Sequence, residues 1–202
     1  MSATTFAAAA HSFAELVRAI PSDAWDGPGL GEWDLRSLVG HTSRSLTTVS
    51  TYLNGTAQRA DITTPQEYYA RVNPAALGMS AADVAERGRQ AGRDLGADPA
   101  GAVDALVSRV LADLESADDP LIEVIGGLGI RLRTYLPTRT FELTVHGLDI
   151  ARAAGLSFSP PPEALEEALL LAARIAAIAG RGEAVLLALT GRQPLPRAFS
   201  VV

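Results

Sequence analysis

The chain has 202 residues, 48% of them hydrophobic and 20% charged, which is enough apolar sequence for one domain with a sizeable core. A formal net charge of −6 and the lack of a basic stripe argue against a nucleic-acid binder. There is no cysteine, and all 17 basic residues are arginine, so thiolate ligands, cysteine nucleophiles, Schiff-base chemistry and a phosphate-loop lysine are excluded.

The N-terminus has no cationic start, and His11 and Glu15 break its alanine run, so it does not read as a secretory signal. The most apolar run, residues 168–180, contains Arg174 and is too short to span a bilayer. A cytoplasmic protein with no membrane or nucleic-acid partner is expected.

Residues 4–20 carry Phe6, Phe13, Leu16, Val17 and Ile20 at helical spacing, and Pro21 stops the helix. After a Gly/Pro loop, Asp34 is placed to cap a helix running to about residue 53, where Asn54-Gly55 ends it. Residues 56–79 are less regular, with a short helix expected at 66–72. Ser80 with Asp83 forms a capping box for a helix to about residue 95, and Asp98-Pro99 opens another to about residue 116.

Residues 118–131 differ: Ile122, Val124 and Ile125 are β-branched and glycines follow, so a short hairpin within 121–131 is predicted. A helix over 132–154 comes next, ended by Gly155, with Pro137 expected near its first turn. Two more helices are predicted at 163–179 and 184–189. The sum is mainly all-α: an antiparallel four-helix bundle with additional short helices and the hairpin, in one domain over 1–202.

The helix over 132–154 carries the chemistry. At roughly 100° per residue, Glu142, His146 and Asp149 share one narrow stripe, with Arg139 at its edge and Tyr135 extending it. Large apolar residues flank the stripe: Leu143 and Ile150 on one side, Phe141, Val145 and Leu148 on the other. The opposite side is small and weakly polar, with Thr140, Thr144, Gly147 and Ala151. This pattern turns the ionisable stripe inward, where a carboxylate must be paired, neutralised or bound to a metal. Glu142 and His146 can offer oxygen and nitrogen to one ion, and Asp149 can fix the tautomer of His146. The alternative is a Glu–His hydrogen bond at a helix interface. His41 lies beside the apolar face of the helix over 34–53. It is either a satisfied core-edge histidine or the third ligand of a site with an open position. His11 reads as a surface residue, and Trp33 as a packing anchor at a helix start.

Two segments resemble one known family. Residues 32–41, EWDLRSLVGH, resemble the tryptophan-to-histidine segment of the mycothiol-dependent maleylpyruvate isomerase family, and residues 139–149, RTFELTVHGLD, resemble its second metal segment. The similarity extends to residues 188–192, ALTGR. That family lies within the DinB-like (YfiT-like) superfamily of metal-binding four-helix bundles. The resemblance implies a divalent metal, usually zinc, held by His41, Glu142 and His146, with Asp149 supporting them. It also implies mycothiol or a similar thiol as cosubstrate, for S-transfer or cis–trans isomerisation of a small electrophile. The small C-terminal domain of full-length isomerases is not evident after residue 192.

Arg139 and Arg131 are the first candidates to hold substrate carboxylates. The loop over 118–131 is placed to cover the site. A non-catalytic metal- or ligand-binding bundle, or a hydrolase using zinc-bound water, shares the same ligands.

Overall fold

A computed structural model describes residues 2–202. It contains α1 (Ser2–Arg18), α2 (Leu35–Tyr52), α3 (Pro65–Arg71), α4 (Ala81–Asp94), α5 (Pro99–Glu115), β1 (Leu121–Val124), β2 (Leu128–Arg131), α6 (Leu132–Ala154), α7 (Pro162–Ile178) and α8 (Gly182–Leu189). The mainly helical class and the hairpin are as predicted.

Four helices close a ring: α1 packs on α6, α6 on α2, α2 on α5, and α5 on α1. Their apolar stripes meet inside, with Phe6, Phe13, Leu38, Leu46, Val103, Val110, Leu136 and Ile150 all buried. Helix α4 lies outside the ring against α2, and α7 lies outside against α6.

Local chemistry sets the element boundaries. The Asp34 carboxylate accepts from the Ser37 backbone N–H at 2.7 Å, capping α2 one residue before it begins. Ser80 and Asp83 form the predicted reciprocal capping box on α4. The α3 helix begins with a second box, Thr64 with Glu67, around Pro65. In the hairpin, Ile122 faces Ile130 in antiparallel register, and both are buried.

α2 and α4 approach unusually closely. A Cβ added to Gly40 would lie 2.2 Å from the Gly92 backbone nitrogen, so the crossing exists only because both residues lack side chains.

One feature of α6 departs from expectation, and a second was not foreseen. Pro137 sits at its sixth residue rather than in the first turn. Proline there leaves the Arg133 carbonyl without its usual partner, and Arg133 is exposed, so water can supply one. The small face opposite the ionisable stripe is not open: Thr140, Thr144, Gly147 and Ala151 are buried. α6 is covered by α1, α2, α3 and α7 together, and small residues let these neighbours close in. The Phe158 ring rests on Gly147, whose Cβ would come within 2.8 Å of it. Of the apolar residues flanking the stripe, Leu148 is exposed at 40%.

Candidate metal centre

α2 contributes His41, and α6 contributes Glu142 and His146. One ligand atom from each lies within 4.8 Å of the others. The three residues predicted to share an ion are therefore brought together from positions about a hundred residues apart in the chain.

Each is held by neighbours. His146 Nε2 lies 3.3 Å from Glu142 Oε2, and its Nδ1 lies 3.2 Å from Asp149 Oδ2. Asp149 thus lies within hydrogen-bond reach of the His146 ring nitrogen that faces away from Glu142. The Tyr69 hydroxyl lies 2.8 Å from Glu142 Oε1 and 3.1 Å from the Thr138 carbonyl. It has one proton to give, and the charged carboxylate is the stronger acceptor.

His41 is oriented by Trp33. The two rings lie 4.5 Å apart, tilted by 33°, and the indole N–H donates to the Ala85 carbonyl at 2.9 Å. Gly88 makes room for that indole, since a Cβ there would sit 2.5 Å from the ring. Trp33 is the anchor expected at the helix start, and it also buttresses a site residue. The His41 and His146 rings meet edge to face at 5.1 Å.

The electrostatics separate the two histidines. Burial, and then the neighbouring His146, push His41 down to about 4, so it is neutral at pH 7 with a lone pair to offer. For His146, burial opposes the charge, but hydrogen bonds to Asp149 and Glu142 win and raise it to about 9. Burial likewise opposes ionisation of Glu142, but the His146 hydrogen bond and the Arg139 charge hold it at about 2. Without an ion, the charged His146 ring bridges Glu142 and Asp149 through its two nitrogens, with neutral His41 alongside.

His41 and Glu142 form part of the wall of a cavity of about 560 Å³. Three arginines share that wall: Arg44 from α2, Arg87 from α4 and Arg139 from α6. Arg139 is buried, and its guanidinium lies 4.9 Å from the Tyr135 ring and 5.2 Å from the Tyr68 ring. Tyr135 itself donates to Thr48 at 3.0 Å and not to the ligand cluster. Arg131 is exposed on β2, bonds the Asp119 carbonyl and does not reach the cavity. The hairpin touches the cavity only through Ile125 in its turn. His11 is exposed on α1.

Tyr69 is among the tyrosines the sequence offers as cleft-lining residues, but its bond to Glu142, and the places of Arg87 and Arg44, escaped the sequence reading. Tyr69 comes from α3, an element with no visible tie to α6. Arg87 comes from α4, whose only signals concern capping. Arg44 did carry a signal, because it follows His41 by three residues and so shares its face of α2.

The sequence profile of a family described as mycothiol maleylpyruvate isomerase N-terminal domain matches residues 6–151. The match runs from α1 through most of α6 and includes all three candidate ligands and Asp149. Among curated proteins and among solved structures, nothing matches the chain. The chain belongs to this DinB-like family.

Proposed function

From that membership and the geometry of the cluster, we propose a divalent-metal-dependent enzyme that uses a low-molecular-weight thiol on a small electrophilic substrate. His41, Glu142 and His146 would hold the ion. Two imidazoles and one carboxylate with an open side form a donor set suited to zinc in a catalytic rather than a structural role. Bound there, the ion supplies the positive charge that keeps a small thiol deprotonated at neutral pH. The family name supports mycothiol as that thiol, and with no cysteine in the chain the sulfur must come from outside.

The chain's own residues prepare the site. Asp149 fixes which nitrogen of His146 faces the cluster, and Tyr69 fixes the rotation of the Glu142 carboxylate. Arg139 places a permanent cation on the cavity wall, where it can hold a negative group of the substrate. A thiolate adds to an activated double bond, the resulting single bond rotates, and expulsion of the same thiolate restores the alkene in its other geometry. Where the adduct is protonated instead, the product is an S-conjugate. The chain works in either way, in the cytoplasm, where small thiols are kept reduced.

The observation that carries this reading is that the cluster opens, through His41 and Glu142, onto a cavity large enough for a substrate. The test is elemental analysis of tag-free protein and of His146→Ala, followed by thiol-plus-alkene assays. About one equivalent of zinc, lost in the variant, with thiol-dependent turnover, is the expected result. No metal even after reconstitution overturns the reading. Turnover without thiol replaces it with a hydrolase, and bound metal without any turnover replaces it with a binding protein.

A further inference from the structure

The cavity has two kinds of wall, and neither is explained by holding a metal. Arg44, Arg87 and Arg139 all contribute to its lining. Among the described residues none of the three forms an ion pair, although the chain as a whole carries a net charge of −6. Arg139 donates only to the Thr138 hydroxyl, at 3.0 Å, and Arg87 only to the Met79 sulfur, at 3.0 Å. Glu142 is the one acidic side chain on the wall among the described residues, and it is committed to His146 and Tyr69. Like charges gathered in a partly dry cavity repel; Glu142 and the Tyr68 and Tyr135 rings offset Arg139, whereas Arg44 and Arg87 have no acidic side chain paired with them among the described residues. The repulsion registers at Arg44, which is pushed down by burial and then by Arg87.

The apolar part of the lining is hydrocarbon: Leu77, Val84, Ile125, Ile175, Ile178 and Val201. Three of these, Ile175, Ile178 and Val201, lie beyond residues 6–151, the stretch shared with the family. The arginine wall falls within the shared stretch. Half of these apolar lining residues thus lie outside the matched stretch.

We infer that the cavity takes an amphipathic carboxylate, with one anionic head against Arg44, Arg87 and Arg139 and an aliphatic or aryl body of about six to ten carbons against the apolar wall. A small dicarboxylate would leave the apolar wall wet, and a neutral hydrocarbon would leave Arg44 and Arg87 without a counter-charge. The inference extends the proposed function by naming its substrate class. It stands on different residues, so it can fail while the metal reading survives.

The test uses purified full-length protein of measured metal content, titrated calorimetrically with butanoate, hexanoate, octanoate, adipate and octanol. Octanoate is expected to bind saturably. Affinity should rise roughly fourfold per added methylene from butanoate to octanoate, and adipate and octanol should bind at least tenfold more weakly. Arg44→Gln with Arg87→Gln should weaken octanoate at least tenfold and leave octanol unchanged. These two arginines are only half-buried, so the variant is expected to keep its thermal midpoint, and circular dichroism checks this. His146→Ala, which removes a metal ligand, should retain octanoate binding. No octanoate binding, tighter binding of adipate, or arginine variants that bind like the parent would overturn the inference. Loss of octanoate binding in His146→Ala would overturn its independence and assign the head group to the metal.

Discussion

Tyr69 and Glu142 are 73 positions apart in the chain, yet the phenol oxygen lies 2.8 Å from Glu142 Oε1. The contact turns the other carboxylate oxygen toward His146 Nε2. A residue of a seven-residue helix outside the bundle thereby sets the orientation of a candidate ligand inside it.

Tyr69→Phe removes that hydrogen bond and keeps the ring, which packs on Phe141 at 5.5 Å. Metal affinity should fall 10- to 100-fold, the usual effect of losing a partner that orients a ligand. Competition against a chelator of known affinity reads it directly. An unchanged affinity would show that Glu142 needs no such support. His11→Ala, on the surface of α1, serves as the control and should leave the metal stoichiometry alone.

The metal must displace a proton. His146 is held at about 9 in the metal-free protein, so at pH 7 it is charged and must deprotonate to bind an ion, whereas His41, at about 4, need not. Zinc uptake at pH 7 should release about one proton, and apparent affinity should climb about tenfold per pH unit until pH approaches about 9. Titration calorimetry in buffers of different ionisation enthalpy measures the proton count. A count near zero would contradict the charged state of His146.

The same shift fixes how the metal-free fold responds to pH. The His146 pKa is raised on folding from 6.5 to about 9, so its contribution to stability is complete below about pH 6.5 and lost as pH rises through 9. Asp149→Asn removes the first of the groups that raise it. In that variant the loss should move to lower pH, as denaturant melts at pH 6, 7.5 and 9 would show.

Gly88→Ala tests how His41 is placed. The added methyl would meet the Trp33 indole at 2.5 Å, and the ring cannot yield without disturbing His41, against which it is stacked. A loss of about 1–3 kcal/mol is expected from overpacking, together with weaker metal binding. A stable variant with native metal affinity would mean that the indole is free to move.

Much of this was legible in the sequence because it is local. Helix caps, the Ser80–Asp83 box and the stripe Glu142–His146–Asp149 depend on spacings of three or four residues, and the structure keeps them all. The inward turn of the stripe could be inferred from its apolar flanks. The burial of Thr140 and Thr144 could not, because a weakly polar face reads as solvent-facing unless the packing of α1 and α7 is known. Tyr69, Arg44 and Arg87 meet at the cavity only through tertiary docking of α3 and α4. Only Arg44 carries a periodic mark, its three-residue spacing from His41; Tyr69 and Arg87 carry none.

The crossing of Gly40 and Gly92 couples parts of the site that would otherwise drift independently. His41 follows Gly40 on α2, and Arg87 precedes Gly92 by five residues on α4, so backbone contact fixes the spacing between a candidate ligand and a cavity cation. Nothing larger than hydrogen fits at the junction, which leaves no graded series of substitutions for adjusting that spacing. Resizing the cavity without moving that spacing is left to its lining side chains, among them Ile175 and Ile178 of α7 and Val201 of the tail, one at a time.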